Sequence, residues 1–127
     1  MKIYISGPIS NLTQAEYEEN FSRAAALIMS EGHEPVNPVQ VTACADESCA
    51  GTISQKADGS YLHTWQCYMK HDLMLLLECE GIAMLSGWPA SKGACLEHHV
   101  AVSLDMPVFL IRRGYTELQR VVNPNQF

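Results

Sequence analysis

Long apolar runs are missing from this chain of 127 residues. A helix that crosses a membrane needs roughly 18 or more consecutive apolar residues, and no stretch of the sequence approaches that length. The opening residues, MKIYISG, also lack the long apolar core of a signal peptide. We therefore expect a cytoplasmic location and no membrane partner.

Positive charge is scarce as well. Lys and Arg number 8 against 14 for Asp and Glu, which gives a formal net charge of −6 at pH 7. Proteins that follow a nucleic-acid backbone carry clustered basic residues, and the sequence has no basic run. Nucleic acid is therefore not an expected partner, whereas a small nucleotide is compatible with this composition.

A paired set of cysteines is also lacking. The five cysteines are an odd number and are scattered through the chain, so we expect reduced thiols rather than a disulfide framework. A rival interpretation is a zinc cluster of Cys44, Cys49, His63 and Cys67. Its spacing departs from the tight knuckles of most structural zinc sites, and thiols beside a mobile loop are favoured over a metal site.

Segments typical of strands alternate with segments typical of helices. The length predicts a single domain over residues 1–127 with one hydrophobic core. Strands are expected at residues 2–6, in HEPVNP from residue 33, at 81–86 and at 106–111. Helices are expected from near Thr13 to Gly32, at 61–79, at 92–105 and, as a short closing helix, at 116–122. This order predicts an α/β fold of three layers, α/β/α, with a small parallel sheet of the flavodoxin or Rossmann type.

Residues 40–60 resist assignment to a helix or a strand. They are small, polar and glycine-containing. A surface loop is the simplest interpretation, and a loop of this length is also typical of an active-site lid. We predict a lid.

The ends of two predicted strands indicate where a ligand would bind. The first strand ends at Ser6-Gly7-Pro8, and the strand at 81–86 ends at Gly87-Trp88-Pro89. In open parallel sheets, ligands bind beyond the C-terminal strand ends, where the strand order reverses. If these two strands are neighbours, both turns face one crevice.

Two carboxylates occupy helix positions that normally hold apolar residues. Glu97 lies four residues before Ala101 and shares its face, and Asp72 lies between Trp65 and Leu76 in an apolar seam. A bare carboxylate on a core face is costly. Each therefore has either a structural hydrogen-bond partner or a chemical task, and paired carboxylates are what enzymes use to cleave glycosidic bonds.

The start of the helix that carries Glu97 suits an anion. Ser91 is a candidate N-cap, which would leave the backbone N–H groups of Lys92, Gly93 and Ala94 open to an anion. Glu97 would follow about one turn later, at the pocket wall. That position suits a nucleophile or a base, although a purely structural carboxylate remains the alternative.

Three stretches together resemble a known superfamily: YISGPI, DLMLLLECEGIAMLSGWPASKGACLEHHVA and MPVFL. The chain resembles the nucleoside 2-deoxyribosyltransferases, and in detail their small bacterial and phage branch with a G-W-x-x-S-x-G-x-x-x-E-H-x-x-A pattern. The 2′-deoxynucleoside 5′-monophosphate N-glycosidases are related. The resemblance covers residues 2–110 apart from the 40–60 loop. Members cleave the N-glycosidic bond of a nucleoside or nucleotide and pass the sugar to another base or to water.

The resemblance implies roles for three catalytic residues. Glu97 matches the nucleophile that forms a covalent glycosyl-enzyme intermediate. Tyr4 matches the tyrosine that orients this glutamate, and Asp72 matches the aspartate that contacts the substrate and assists departure of the base. Such a reaction needs no metal and no organic cofactor.

The resemblance also implies substrate-binding residues. Ser91 matches a serine that binds the 5′-phosphate in nucleotide-hydrolysing members, and Gly7 and Gly93 match glycines that let the backbone approach the ligand. Trp88 either stacks on a base or packs on a neighbouring subunit. The remaining candidates come from the first loop, namely Pro8, Ile9 and Ser10.

The first loop departs from the nucleotide-hydrolysing relatives because it lacks the arginine of their Ser-x-Arg stretch. The phosphate state of the substrate is therefore open, with Ser10, Ser91, Lys92 and the helix-end amides as substitutes for that arginine.

Two further expectations follow from the resemblance. Relatives complete each pocket with residues of a neighbour, so we expect a homodimer or a higher homo-oligomer. The alternative to an enzyme is a nucleotide-binding sensor of the same fold without turnover, and the presence of both Glu97 and Asp72 disfavours it.

Overall fold

A computed structural model of the chain describes residues 1–40, 52–55, 61–63 and 65–121. The helices in these ranges are α1 (Gln14–Ser30), α2 (Trp65–Leu77) and α3 (Lys92–Ser103). The strands are β1 (Lys2–Ser6), β2 (Glu34–Val36), β3 (Thr52–Gln55), β4 (Tyr61–His63), β5 (Gly81–Leu85), β6 (Val108–Ile111) and β7 (Gln119–Val121). Short 3₁₀ turns cover Pro38–Gln40 and Trp88–Ala90. None of the described helices is long and apolar enough to cross a membrane.

Five strands form the main sheet in the order β2-β1-β5-β6-β7. β1 pairs in parallel with β2 on one side and with β5 on the other, so the first strand and the strand expected at 81–86 are neighbours. β6 continues the parallel sheet. The chain order therefore reverses at β1, which is the position where open α/β sheets bind ligands.

Both faces of the sheet are covered, because successive residues of a strand point to opposite faces. Ile3 and Ile5 of β1 pack with Phe21 and Ile28 of α1. Tyr4 faces the other way, into a cluster that α2 and α3 complete through Leu76, Ala94 and Ala101. The predicted three-layer α/β/α class is confirmed, with α1 on one face and the other two helices on the opposite face.

The predicted beginning and end of α1 are confirmed. The N–H of Glu16 donates to Thr13 Oγ1 at 3.2 Å, and the N–H of Thr13 donates to Glu16 Oε1 at 3.1 Å, which is a complete capping box. Gly32 follows the helix with φ 84°, a left-handed backbone conformation that glycine adopts without steric cost.

The expected closing helix at 116–122 is wrong. Residues Gln119–Val121 form β7, an antiparallel edge strand whose Arg120 pairs with Phe109 of β6. The open edge of β6 offers a row of backbone hydrogen-bonding groups, and pairing with it overrides the local helical pattern.

The region before α2 also differs from its prediction. α2 begins at Trp65 rather than near residue 61, because Tyr61–His63 forms β4 and pairs antiparallel with β3. The expectation of a loop throughout 40–60 is therefore wrong at Thr52–Gln55. The rest of the predicted lid, after residue 40, lies outside the described residues, as does the tail from residue 122.

Candidate active site

Glu97 is a buried carboxylate on α3 and is only 5% exposed. Its Oε2 accepts a hydrogen bond from the hydroxyl of Tyr4. Its Oε1 accepts a hydrogen bond from Ser6 Oγ at 2.7 Å. Both donors lie on β1, so the central strand and α3 together position this group beside the point where the strand order reverses.

Ser6 is the residue that sequence reasoning missed. Strand periodicity offered a signal, because Tyr4 and Ser6 are two residues apart and therefore point to the same face of β1. A serine at the carboxyl end of a buried strand, two residues after a predicted active-site tyrosine, was a candidate on that ground alone.

The pKa values of the group follow from its burial. Burial raises the pKa of Glu97 to about 7, the hydrogen bonds from Tyr4 and Ser6 lower it in part, and the charge of Asp72 raises it. Burial also raises the pKa of Tyr4 well above its usual value, with further contributions from Glu97 and Asp72. Tyr4 therefore stays protonated at neutral pH and acts as a hydrogen-bond donor.

Asp72 lies half-buried on α2, between the buried residues Met69 and Leu76 of the same helix. Burial raises the pKa of Asp72 to about 6. Its charge acts on both Tyr4 and Glu97. The charge of Asp72 therefore contributes to the raised pKa values of both residues, and burial is the larger cause for each.

Ser91 caps α3, as its sequence position predicts. Its hydroxyl oxygen accepts a hydrogen bond from the N–H of Ala94 at 3.3 Å. The expectation that this N–H is open to an anion is therefore wrong, because the cap itself occupies it. The next residue, Lys92, holds its ammonium group 4.1 Å from the centroid of the Trp65 ring, a favourable cation–π geometry. A positive charge thus lies at the first residue of the helix that carries Glu97.

The two glycines of the predicted ligand site each have a packing reason. A Cβ at Gly7 would lie 2.7 Å from Leu85 Cβ, which leaves no room for any side chain. A Cβ at Gly93 would lie 3.2 Å from Met69 Sδ and 3.8 Å from Trp65 Nε1. Gly7 thus lets the ends of β1 and β5 approach, and Gly93 lets α3 approach α2, while their contact with a ligand stays a prediction.

The two turns at the strand ends adjoin each other. Gly87 adopts φ 87°, and a Cβ built there would lie 3.5 Å from Pro8 Cγ. Gly7 is buried and Pro8 is half-buried, whereas Ile9 and Ser10 are exposed. The first loop therefore presents Ile9 and Ser10 to solvent, where they are accessible to a ligand.

Trp88 stacks on His98, with ring centroids 4.4 Å apart and an interplanar angle of 29°. One face of the indole is therefore occupied within the protein. Burial lowers the pKa of His98, so the imidazole is mainly neutral at pH 7. Stacking of Trp88 on a base and its packing on a neighbouring subunit both stay predictions.

No group of three or more His, Cys, Asp or Glu with metal-binding geometry occurs within the described ranges. Cys44 and Cys49 of the alternative zinc cluster lie outside those ranges. Cys79 and Cys95 are present as thiols.

Comparisons with known proteins agree with this fold. A family model described as a domain of unknown function, DUF4406, matches residues 1–110. Among solved structures, the chain is similar to a 2-deoxyribosyltransferase from the psychrotolerant bacterium Bacillus psychrosaccharolyticus, with 18% identity and a TM-score of 0.56. The match covers 99% of this chain and 80% of that one. No curated protein matches the sequence.

Proposed function

The chain belongs to the DUF4406 family and has the fold of a 2-deoxyribosyltransferase, and from these premises we propose that it is an enzyme that cleaves N-glycosidic bonds. The substrate is a nucleoside or a nucleoside 5′-monophosphate. The sugar passes through a covalent intermediate on Glu97 and then to water, as in a hydrolase, or to a second base, as in a transferase.

One observation carries this proposal. A buried glutamate accepts hydrogen bonds on both oxygens from Tyr4 and Ser6 and lies beside the reversal of strand order, and the charge of a second carboxylate, Asp72, contributes to its raised pKa. A carboxylate that served only the core would gain nothing from a like charge nearby, which raises the cost of its ionisation. Two carboxylates whose pKa values lie near neutrality suit the pair of roles that glycosidic cleavage requires.

The first step breaks the bond between sugar and base. A carboxylate oxygen of Glu97 forms a bond to C1′ while the C1′–N bond breaks, and the base leaves with the bonding electron pair. The carboxyl group of Asp72 gives the departing base its proton. The pKa is about 7 for Glu97 and about 6 for Asp72, so the form with ionised Glu97 and protonated Asp72 is the less populated of the two singly protonated forms. That productive form is most populated between the two pKa values, where the activity should therefore be highest.

The second step releases the sugar. Water attacks C1′, the ester bond to Glu97 breaks, and the water proton passes to the carboxylate of Asp72. When a second base attacks instead, its proton takes the same route. Two displacements at C1′ give net retention of configuration.

The residues at the N-terminus of α3 favour a substrate that carries a phosphate. Ser91 and Lys92 lie there with a positive helix end. One phosphate group matches this limited charge, and we therefore propose a monophosphate in preference to a triphosphate.

The experiment that tests the proposal uses a panel of nucleosides and 5′-monophosphates, each with and without acceptor bases. The wild type should release free base from at least one of them, and Glu97→Ala should abolish that release while circular dichroism shows an intact fold. Mass spectrometry of quenched protein should show a sugar adduct that Glu97→Ala lacks. Near-native turnover by Glu97→Ala would contradict the mechanism, and binding without any turnover would favour the sensor.

A second variant isolates the role of Asp72. Asp72→Asn should slow cleavage of a natural nucleoside by about a hundredfold or more, within the range of general acid catalysis. The rate of cleavage should fall much less for a substrate whose leaving group needs no proton, such as a nitrophenyl glycoside of the same sugar. Equal losses on both substrates would contradict proton donation by Asp72.

A further inference from the structure

Ser6 is a buried serine at the end of β1 and is 1% exposed. We propose that Ser6 is a positioning residue that acts with Tyr4 to hold the Glu97 carboxylate in one orientation and to stabilise its charged form. The consequence for turnover rests on the proposed function, whereas the effect of Ser6 on Glu97 itself does not.

The geometry gives each donor a different oxygen. Tyr4 binds Oε2 and Ser6 binds Oε1. The terminal torsion of a glutamate is broad and roughly two-fold, so a donor on one oxygen leaves the carboxylate plane able to turn. Donors on both oxygens restrict that rotation.

The support for both donors is rigid. Tyr4 and Ser6 lie on the same face of β1, and they pair with Ile82 and Met84 of β5. Gly7 follows directly and lets Leu85 pack against the strand end. The spacing of the two hydroxyl groups is therefore set by the middle of the sheet rather than by a loop.

The Ser6 hydroxyl favours the ionised form of Glu97, which a residue that only fills space in the core would not do. The described part of the chain buries three polar or charged residues, Ser6, Asn37 and Glu97, and two of them are bonded to each other. Burial opposes ionisation of Glu97, and a hydroxyl that donates to the carboxylate favours it. Each carboxylate oxygen has about two acceptor sites, so Glu97 keeps lone pairs for attack on C1′.

Tyr4 and Ser6 also assist the second step of the cycle, in which the ester between the sugar and Glu97 is cleaved. Negative charge leaves the carboxylate when the sugar ester forms and returns when the ester is cleaved. Donors that are already in place stabilise the returning charge without reorganisation. Loss of Ser6 should therefore lower kcat rather than weaken substrate binding.

A titration tests this without any substrate. The protein is labelled with ¹³C at the glutamate carboxyl carbons, and the Glu97 signal is assigned from its absence in Glu97→Gln. In Ser6→Ala the pKa of Glu97 should rise by about one unit or more, since hydrogen bonds to charged groups contribute on the order of one to two units. Ser6→Thr, which keeps the hydroxyl, should titrate close to the wild type.

The matched control is Ser103→Ala. Ser103 lies on the same helix as Glu97, but its hydroxyl donates to the carbonyl of His99 at 2.7 Å. This control should leave the titration of Glu97 unchanged. If Ser6→Ala does not fold, Ser6→Cys takes its place, because a thiol keeps the shape and donates weakly. An unchanged pKa of Glu97 in the Ser6 variant would overturn the inference.

Kinetics provide the second readout once a substrate is known. Ser6→Ala should lose about tenfold or more in kcat, with KM changed less than about twofold, as expected when an interaction acts in the transition state. A rise in KM with unchanged kcat would overturn the positioning role. If no nucleoside or nucleotide is turned over, the proposed function fails, and the titration alone still decides the effect of Ser6 on Glu97.

Discussion

Glu97 is the residue at which stability and the proposed chemistry conflict. An ionised carboxylate in a buried position costs free energy, and two hydroxyl donors offset that cost only in part. A core built only for stability would place an apolar or neutral side chain there. The conflict is of the kind expected where a site requires a charge that the fold would otherwise exclude.

The free-energy cost of burying the Glu97 charge predicts that Glu97→Gln raises the free energy of unfolding, and that the increase depends on pH. The pKa of Glu97 is about 7 in the folded protein against an ordinary value of 4.5. Between these values the unfolded chain has lost the proton and the folded chain retains it, so wild-type stability falls as the pH rises from 4.5 to 7. Glutamine has no charge to bury, so Glu97→Gln should exceed the wild type by up to about 3 kcal/mol at pH 8 and by little at pH 5.

Urea unfolding at pH 5 and pH 8 measures this difference. Glu78→Gln is a suitable control, because Glu78 is exposed just after α2 and its neutralisation should change stability little at either pH. If Glu97→Gln raises the free energy of unfolding by the same amount at pH 5 and at pH 8, then Glu97 is not both charged and buried at pH 8.

At the scale of elements, Ser91 at the N-terminus of α3 is both the cap of the helix and the proposed ligand of the phosphate. Ser91 caps the helix through Ala94, and it stands where a phosphate would meet the helix end and Lys92. A loss of activity in a Ser91 variant would therefore mix a loss of helix stability with a loss of phosphate binding. Two variants separate these effects.

Ser91→Ala should lower kcat/KM for a 5′-monophosphate by about tenfold or more, because a hydrogen bond to a charged group contributes about 1.5–3 kcal/mol. It should affect the matched nucleoside much less. Ser91→Asp preserves the helix cap and repels phosphate, so it should impair the monophosphate even more and leave the nucleoside near the wild-type value. Equal effects of Ser91→Ala on both substrates would assign Ser91 to capping alone and favour a nucleoside substrate.

At the scale of the whole molecule, α2 exposes apolar side chains that the described fold does not cover. Met74 and Leu77 are 63% and 59% exposed, and Trp65 at the start of the helix is 37% exposed. The sequence predicts a homo-oligomer with this helix, including Trp65 and Tyr68, as its contact, and exposed apolar patches are typical of such interfaces. The oligomer stays a prediction.

Sedimentation velocity at micromolar concentration checks the oligomer, which should sediment as a dimer or larger. Leu77→Lys should weaken the association, because it places a charge in the contact. Met29→Lys is the matched control, since Met29 is 65% exposed but lies on α1 at the opposite face of the sheet. A wild type that sediments only as a 14.1 kDa species would contradict the prediction.

Local patterns in the sequence determined most of the elements and part of the site. The capping box at Thr13, the order of strands and helices and the core-facing position of Glu97 all depend on residues within a few positions of one another. Asp72 was also a candidate from its place in a helical seam, whereas Tyr4 came from the resemblance, which the fold confirms. The catalytic roles of both residues stay a proposal.

The tertiary structure alone decided the contacts between distant segments. Ser6 meets Glu97 across 91 positions, β7 forms because β6 offers an open edge, and Gly7 is required because Leu85 packs against it. Helical and strand periodicity assigns a residue to a face but does not say which residue from elsewhere in the chain will lie against that face. Those partners follow from strand order and packing. Strand periodicity places Ser6 on the same face as Tyr4, but only the folded chain shows that Ser6 donates to Glu97.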